Sequence, residues 1–507
     1  MKKQLIKYAI LSLVLLFTAC GTDTEYATVI PKDAEFVVTL DLQSIITKSG
    51  LLDKENSSQK NNLKVTSQKD SSEVETALLE AILKNPGELG IDLAKKMYAF
   101  EQADTELSGL LFPVLDKEKL KTSIMVLADH LGGLTAFHEE GNYQWTSSPY
   151  CYIAMNEKSC VFMLRNEKDV ERLNQKVASW LIQGKDESFV STPYFDDLHD
   201  LKGEIGLYAS MQSLPENMSM MASLVHSESM DMMSIKYLAS LSFQEGRLEA
   251  EGRLLYEDDN VKKWLKHQQK ACKRIKGTSL TKLPLETPLW FAVGLDGNEL
   301  YNSLLEHPTY GRQLQNISLP LDIEGVVRTI DGDLAVSYPH GLYVDVKNNA
   351  ILSVCVGAIN TLGQFLGFSL DEIEKDHYEL IDKQRSVARW LNQDVKLHMG
   401  MNDESFYLLT SNESVSKLPF EKSLKSAPWV SEVEGNILFL MFNFQEGNKL
   451  LDKYISSPNN ITTASNNFSY ITYSQKDIES NKIVLTFIDK KRNVLQQLLE
   501  LLPRELN

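Results

Sequence analysis

Tyr152-Ile-Ala-Met-Asn-Glu-Lys-Ser-Cys-Val-Phe-Met-Leu-Arg-Asn-Glu167 recurs without a gap as His398-Met-Gly-Met-Asn-Asp-Glu-Ser-Phe-Tyr-Leu-Leu-Thr-Ser-Asn-Glu413. Each copy sets two apolar runs around a short polar turn, the pattern of a β-hairpin. Met155-Asn156 falls on Met401-Asn402, Ser159 on Ser405, and Asn166-Glu167 on Asn412-Glu413. Moving outward, Phe36-Val-Val-Thr-Leu-Asp41 recurs as Phe291-Ala-Val-Gly-Leu-Asp296, with Pro31 and Pro284 upstream. Residues 203–212 resemble 435–445, and 248–256 resemble 483–488. A shared order at a near-constant offset predicts a tandem duplication. The first related domain spans 28–275 and the second 283–507, meeting near 276–282.

Inside each half one unit keeps returning: an apolar strand, an Asp, Asn or Ser, then an amphipathic helix. Val37 to Leu40 precede Asp41, Leu111 to Leu115 precede Asp116, and Val161 to Leu164 precede Asn166. Phe439 to Phe442 precede Asn443, and Ile483 to Ile488 precede Asp489. Such a side chain accepts from the first free helical N–H groups, so these acids are expected as N-caps and not as catalysts. Hairpins are expected over 134–148, turning at Glu140-Gly141-Asn142, and over 237–256, turning at Gln244-Glu245-Gly246. A third is expected over 326–338, turning at Asp331-Gly332. Hairpins mixed with strand-to-helix steps predict an α+β fold, with largely antiparallel sheets and helices packed on one face. The polar stretches 53–74 and 456–469 fall outside this pattern; the first reads as a solvated helix or loop and the second as a loop.

At the N-terminus Lys2, Lys3 and Lys7 precede an uncharged, mostly apolar run from Tyr8 to Ala19. That run is shorter than the roughly 20 residues a membrane-spanning helix needs, and it has the length of a signal-peptide core. It ends in Phe17-Thr18-Ala19-Cys20, which resembles the lipobox of bacterial lipoproteins, with Phe where Leu is usual. Residues 1–19 therefore read as a signal peptide, Cys20 as the lipidated residue, and 20–27 as a tether. The expected location is the cell envelope, lipid-anchored in the outer membrane, with its periplasmic or surface face left open. Asp23 and Glu25 faintly resemble an acidic export signal and fit a flexible polar tether equally well.

The whole chain holds 52 Lys and Arg against 69 Asp and Glu. Removing residues 1–19 takes away three lysines and no acids, leaving a charge near −20. Such a field opposes nucleic acid and anionic lipid surfaces as partners. Four cysteines remain after Cys20: Cys151, Cys160, Cys272 and Cys355. They form no disulfide framework and no CxxC pair. Cys151 and Cys160 flank one hairpin and are within reach of pairing, although buried thiols are the simpler reading. The apolar stretch 350–370 is interrupted by Ser353, Asn360, Thr361 and Gln364, and reads as a buried strand and helix.

Val29-Ile-Pro-Lys-Asp-Ala-Glu-Phe-Val-Val-Thr-Leu-Asp-Leu-Gln-Ser44, Lys48-Ser49-Gly50-Leu51 and Asp53-Lys54-Glu55-Asn56 resemble the opening of an uncharacterised Bacteroidales lipoprotein family, domain of unknown function 4836. Leu83-Lys84-Asn85-Pro86, Gly90-Ile91-Asp92 and Tyr98-Ala99-Phe100 extend the resemblance. It implies an envelope location and supplies no activity and no functional residues.

No reactive motif stands out. No pair of histidines has HExxH spacing, and GxSxG, P-loop and GxGxxG patterns are absent. Asp196-Asp197-Leu198-His199-Asp200 offers metal-type ligands but reads as a solvated helical turn, and His377 as part of a charged helix face. No catalytic residue, metal site or cofactor is nominated. The oddest segment is 217–234, where Met218, Met220, Met221, Met230, Met232 and Met233 surround His226. Thioethers bind Cu(I), yet adjacent methionines on a helix point about 100° apart. Met218 with Met221, and Met230 with Met233, share helical faces and read as a partner surface, for instance toward an envelope protein. The favoured function is a non-enzymatic binding or assembly lipoprotein. An envelope hydrolase is the alternative, and copper handling through the Met-rich segment comes third.

Overall fold

A computed structural model describes residues 24–50, 89–103, 107–128, 131–164, 170–210, 234–306, 311–312, 314, 322–348, 351, 378–382, 387–391, 396–402, 405–409, 422–454 and 465–501. The chain divides into two compact units, Met1–Ser213 with Leu498–Asn507, and Leu214–Gln497.

In the first unit β1 (Ala34–Leu40) follows from the alternation of Val37 and Thr39, both fully buried, with half-buried Phe36, Val38 and Leu40. Asp41 then caps α1 (Leu42–Ser49) by accepting from the Ser44 N–H at 2.9 Å, and Gly50 closes that helix at φ 68°. The remaining strands are β2 (Met97–Gln102), β3 (Ser108–Pro113), β4 (His138–Glu140), β5 (Tyr143–Ser147), β6 (Cys151–Met155), β7 (Ser159–Leu164) and β8 (Ile205–Ser210). Asp116 caps α2 (Lys117–Val126) through the Lys119 N–H at 3.0 Å. Further along the chain come α3 (Val170–Ile182) and α4 (Pro193–His199). The ladder runs β8-β1-β2-β3-β7-β6-β5-β4, antiparallel throughout. Leu120 and Ile124 of α2 pack against Cys151, Ile153, Met155 and Cys160 on one face.

In the second unit the hairpin β9 (Lys236–Phe243) and β10 (Arg247–Leu255) turns at Gly246, φ 65°. After α5 (Asp259–Lys270) come β11 (Leu289–Asp296), α6 (Gly297–Glu306), α7 (Ile323–Thr329), β12 (Ile330–Tyr338) and β13 (Gly341–Val346). They are followed by β14 (Tyr378–Asp382), β15 (Val387–Leu391), β16 (Lys396–Asn402), β17 (Ser405–Leu409) and β18 (Leu438–Asn443). The last elements are α8 (Phe444–Tyr454), β19 (Phe468–Asp477) and β20 (Ser480–Phe487), and α9 (Val494–Leu501) belongs to this unit up to Gln497. The antiparallel ladder runs β9-β10-β20-β19-β18-β11-β12-β13-β17-β16-β15-β14. Its core is aromatic: Trp290, Trp429 and Phe439 stack with centroids 5.6 to 5.9 Å apart. The buried Trp290 indole N–H is satisfied by Ser279 Oγ at 3.1 Å.

This is a mixed α and β protein with antiparallel pairing, as expected. Two local expectations are corrected. Residues 326–338 are not a hairpin: Asp322 caps α7 through the Gly325 N–H at 2.8 Å, and Asp331-Gly332 lies inside β12. There the register shifts between Ile330 and Leu334, and Gly332 takes φ 140°, a bulge instead of a turn. Asp489 is no helix cap. Its carboxylate closes a turn onto the N–H groups of Lys491 and Arg492, and Asn493 accepts from Leu495 at the start of α9.

Candidate functional site

Three separated segments of the first unit enclose a solvent-open groove of about 400 Å³. The first is the entrance to β1, where Pro31 pairs with Ser188 and the Lys32 N–H donates to Glu187 O at 3.2 Å. These bonds lay the 3₁₀ turn Lys185–Glu187 alongside residues 31–33. The second is α3, whose Lys176, Ser179 and Trp180 lie at three- and four-residue spacing and so share a face, with Gln183 just past the helix end. Phe100 of β2 meets the Trp180 ring edge-on at 5.4 Å and fixes it as a floor that is 2% exposed. The third is the end of β2, which contributes Gln102.

Charge within the groove is arranged in two kinds. Gln102 Nε2 lies 3.0 Å from both Asp33 carboxylate oxygens, holding that acid at the rim. Glu187 adds a second exposed carboxylate. Gln183 Nε2 donates to Thr28 O at 2.5 Å and Ile30 O at 3.1 Å, tying α3 to the β1 entrance. Lys32 Nζ donates to the backbone oxygen of Asp186 at 3.1 Å, and Lys176 Nζ lies 5.9 Å from the centre of the Trp180 ring. Neither ammonium forms an ion pair among the described residues. Elsewhere pairing is common: Lys48 meets Glu204 at 2.7 Å, and Lys482 meets Glu249 and Glu251 at 3.0 Å each.

A second polar cluster lies buried in the second unit. Asp333 is 1% exposed, and its carboxylate accepts from the backbone N–H groups of Lys276 (2.8 Å), Gly277 (2.6 Å) and Thr278 (3.2 Å). Asp345, 3% exposed, accepts from Thr278 Oγ1 and Ser405 Oγ, each at 2.9 Å, and from the Asp333 N–H at 3.2 Å. Burial pushes the Asp333 carboxyl above its ordinary range, assisted by Asp345, while the three N–H groups pull it down. Close by, Lys273 bridges Asp331 and Asp296, and its hydrogen bond holds the Asp331 carboxyl below the usual range. The bonds from Lys276, Gly277 and Thr278 pin the 276–278 loop to β12 and β13, and Ser405 ties β17 to the same carboxylate as Thr278 Oγ1. The cluster is a structural lock.

The residues singled out in the sequence fall as follows. Cys20, the Met218, Met221, Met230 and Met233 surface, His226, His377, Asn166, Cys355 and most of 350–370 lie outside the described residues. His199 ends α4 with Nδ1 2.9 Å from the Tyr98 hydroxyl, and its backbone oxygen accepts from Lys96 Nζ at 2.5 Å. Burial, then the Lys96 charge, lowers the imidazole pKa. Among the described residues no three His, Cys, Asp or Glu side chains gather as metal ligands, and no helix is long and apolar enough to cross a membrane. Cys151 and Cys160 are both free and buried, and burial pushes the Cys160 thiol up to about 12. None of the groove residues was singled out from the sequence. None of them carries a motif, and only the pairing of β1, β2 and the 185–187 turn brings them together.

Fold and groove together define an α+β protein with antiparallel ladders and an open polar cleft lined by charges of both signs. The chain belongs to the family described as Domain of unknown function (DUF4836), whose match covers residues 26–495. No curated protein matches it. Among solved structures it is similar to crystal forms IV, I and III of TP0453, at 11% identity each. The matches cover 45%, 48% and 50% of this chain and 79%, 86% and 89% of TP0453, with TM-scores of 0.27, 0.27 and 0.26. Scores this low carry no argument about fold or function.

Proposed function

We propose that the protein is a non-enzymatic binding lipoprotein of the cell envelope, and that the first-unit groove is its binding site. One observation carries the reading: two ammonium groups without ion-pair partners among the described residues, Lys32 and Lys176, flank a cleft of ligand size in an acidic chain. Ligand pockets commonly occupy about 300–1,000 Å³ and use a few placed polar groups. The test is to incubate the purified chain with a small-molecule extract of its own cells, wash it, denature it and read the released compounds by mass spectrometry. Wild type should release a compound that the Lys32→Gln/Lys176→Gln variant does not. Identical release from both proteins would overturn the reading.

Anchoring belongs to the same proposal. Cys20, behind the apolar run 8–19, would carry acyl chains, and each buried methylene adds about 0.8 kcal/mol of membrane affinity. A fatty-acid probe fed to cells should label wild type and not Cys20→Ala; equal labelling of both would remove the anchor. The outer membrane is the membrane proposed.

A tandem origin is also proposed, with repeats over 28–275 and 283–507 and helices on matching sheet faces. Supporting it, β8-β1-β2-β3-β7-β6-β5-β4 and β18-β11-β12-β13-β17-β16-β15-β14 follow one order. Met155 pairs with Cys160 as Met401 pairs with Phe406, the register the sequence match requires. The matching segments of β10 and β20 pair with each other, Ala250 opposite Ile483. Replacing 152–167 by 398–413 should leave a folded chain, and loss of folding in that chimera would count against a common origin.

A further inference from the structure

We propose that the groove takes a small zwitterion bearing both a free carboxylate and a free ammonium group, such as a short peptide with unmodified ends. This rests on the binding-site reading above and adds the class of ligand. Lys32 and Lys176 supply charged donors, and donors of that kind favour a carboxylate. Asp33 and Glu187, on the same cleft, supply charged acceptors for an ammonium group. Gln102 fixes the Asp33 carboxylate in place through its amide, so that acceptor is positioned before a ligand arrives. Lys32 is likewise steadied by the Asp186 carbonyl.

Opposite charges on one small cleft would ordinarily pair with each other. Here Lys32 and Lys176 form no ion pair among the described residues, which leaves both signs available. A simple anion would use the lysines and face repulsion from Asp33 and Glu187, and a simple cation would face the reverse. A zwitterion satisfies both sets. A cleft of about 400 Å³ suits two or three amino-acid residues.

The test is calorimetric titration of the full lipidated chain in detergent with alanyl-alanine, alanyl-phenylalanine and trialanine. Each is compared with its N-acetylated and its C-amidated form. At least one unmodified peptide should bind, and capping either end should weaken it by about tenfold or more, the size expected for losing one charged hydrogen bond. Lys176→Gln should weaken the unmodified and N-acetylated peptides while leaving the C-amidated one little changed. Asp33→Asn should do the reverse, sparing the N-acetylated peptide. Absence of binding by all three peptides, or binding indifferent to both caps, overturns the zwitterion class. If the cell extract nonetheless yields a groove-dependent compound without both groups, the site stands and only the ligand class falls.

Discussion

At Asp333 burial and hydrogen bonding pull the carboxyl in opposite directions, and burial wins. The folded chain therefore holds that proton more tightly than the unfolded chain does. Stability from this group is full below the ordinary aspartate value of about 4. It is lost as pH rises from there through the raised folded value, then levels off. Asp333→Asn cannot titrate, and it keeps one acceptor oxygen where the carboxyl group presents two to Lys276, Gly277 and Thr278. At pH 4 it should be less stable than wild type by about 1–3 kcal/mol, the cost of leaving buried groups unpaired. Denaturant unfolding of both proteins from pH 4 upward should show that gap narrowing as wild type alone loses stability. A gap that widens with pH would mean that Asp333 is stabilised in its charged form. None of this was legible in the sequence, where Asp331-Gly332 carried the signal of a turn and Asp333 none. The bulge at Gly332 and the loop at 276–278 arise from pairing with β13, which lies outside the local pattern.

Strand, cap and helix units were the most legible level, because each is decided by neighbours in sequence. Asp41, Asp116 and Asn443 accept from the N–H groups that open the following helices, as their positions foretold. Asp489 failed the same test because Lys490 to Arg492 form a turn before the chain commits to helix at Val494. Asp41→Ala should therefore cost about 1 kcal/mol in denaturant unfolding, as lost caps typically do. Asp489→Ala should cost much less, because its turn is exposed and Asn493 opens α9. Equal losses would restore Asp489 as a cap. A sharper constraint sits in β11. Gly294 donates to Ile437 O and accepts from the Lys273 N–H, both at 2.9 Å, and a Cβ there would overlap the Lys273 carbonyl. Since the obstacle is backbone, Gly294→Ala should destabilise the second unit by about 1–3 kcal/mol, the usual range for forced overpacking. Unchanged thermal unfolding would show that the 273–274 backbone moves aside freely.

On the scale of the molecule, the ladder orders were not legible. Placing β8 beside β1, or β10 beside β20, depends on contacts between segments more than 150 residues apart, which no local periodicity encodes. The groove was hidden for the same reason: residues 31–33, 102 and 176–187 become one site only after β1 and β2 pair and α3 docks. Composition spoke to the whole chain's field, and against a net charge of −17 two lysines without an ion pair among the described residues make this cleft a local exception. Ligand binding at this cleft should change how its backbone exchanges hydrogen. The most direct test is amide hydrogen exchange on the full chain, with and without its own cells' small-molecule extract. Exchange should slow at residues 28–34, 101–103 and 176–189 alone, and this slowing should be lost in the Lys32→Gln/Lys176→Gln variant. Slowing elsewhere alone, or none at all, would contradict binding at this cleft.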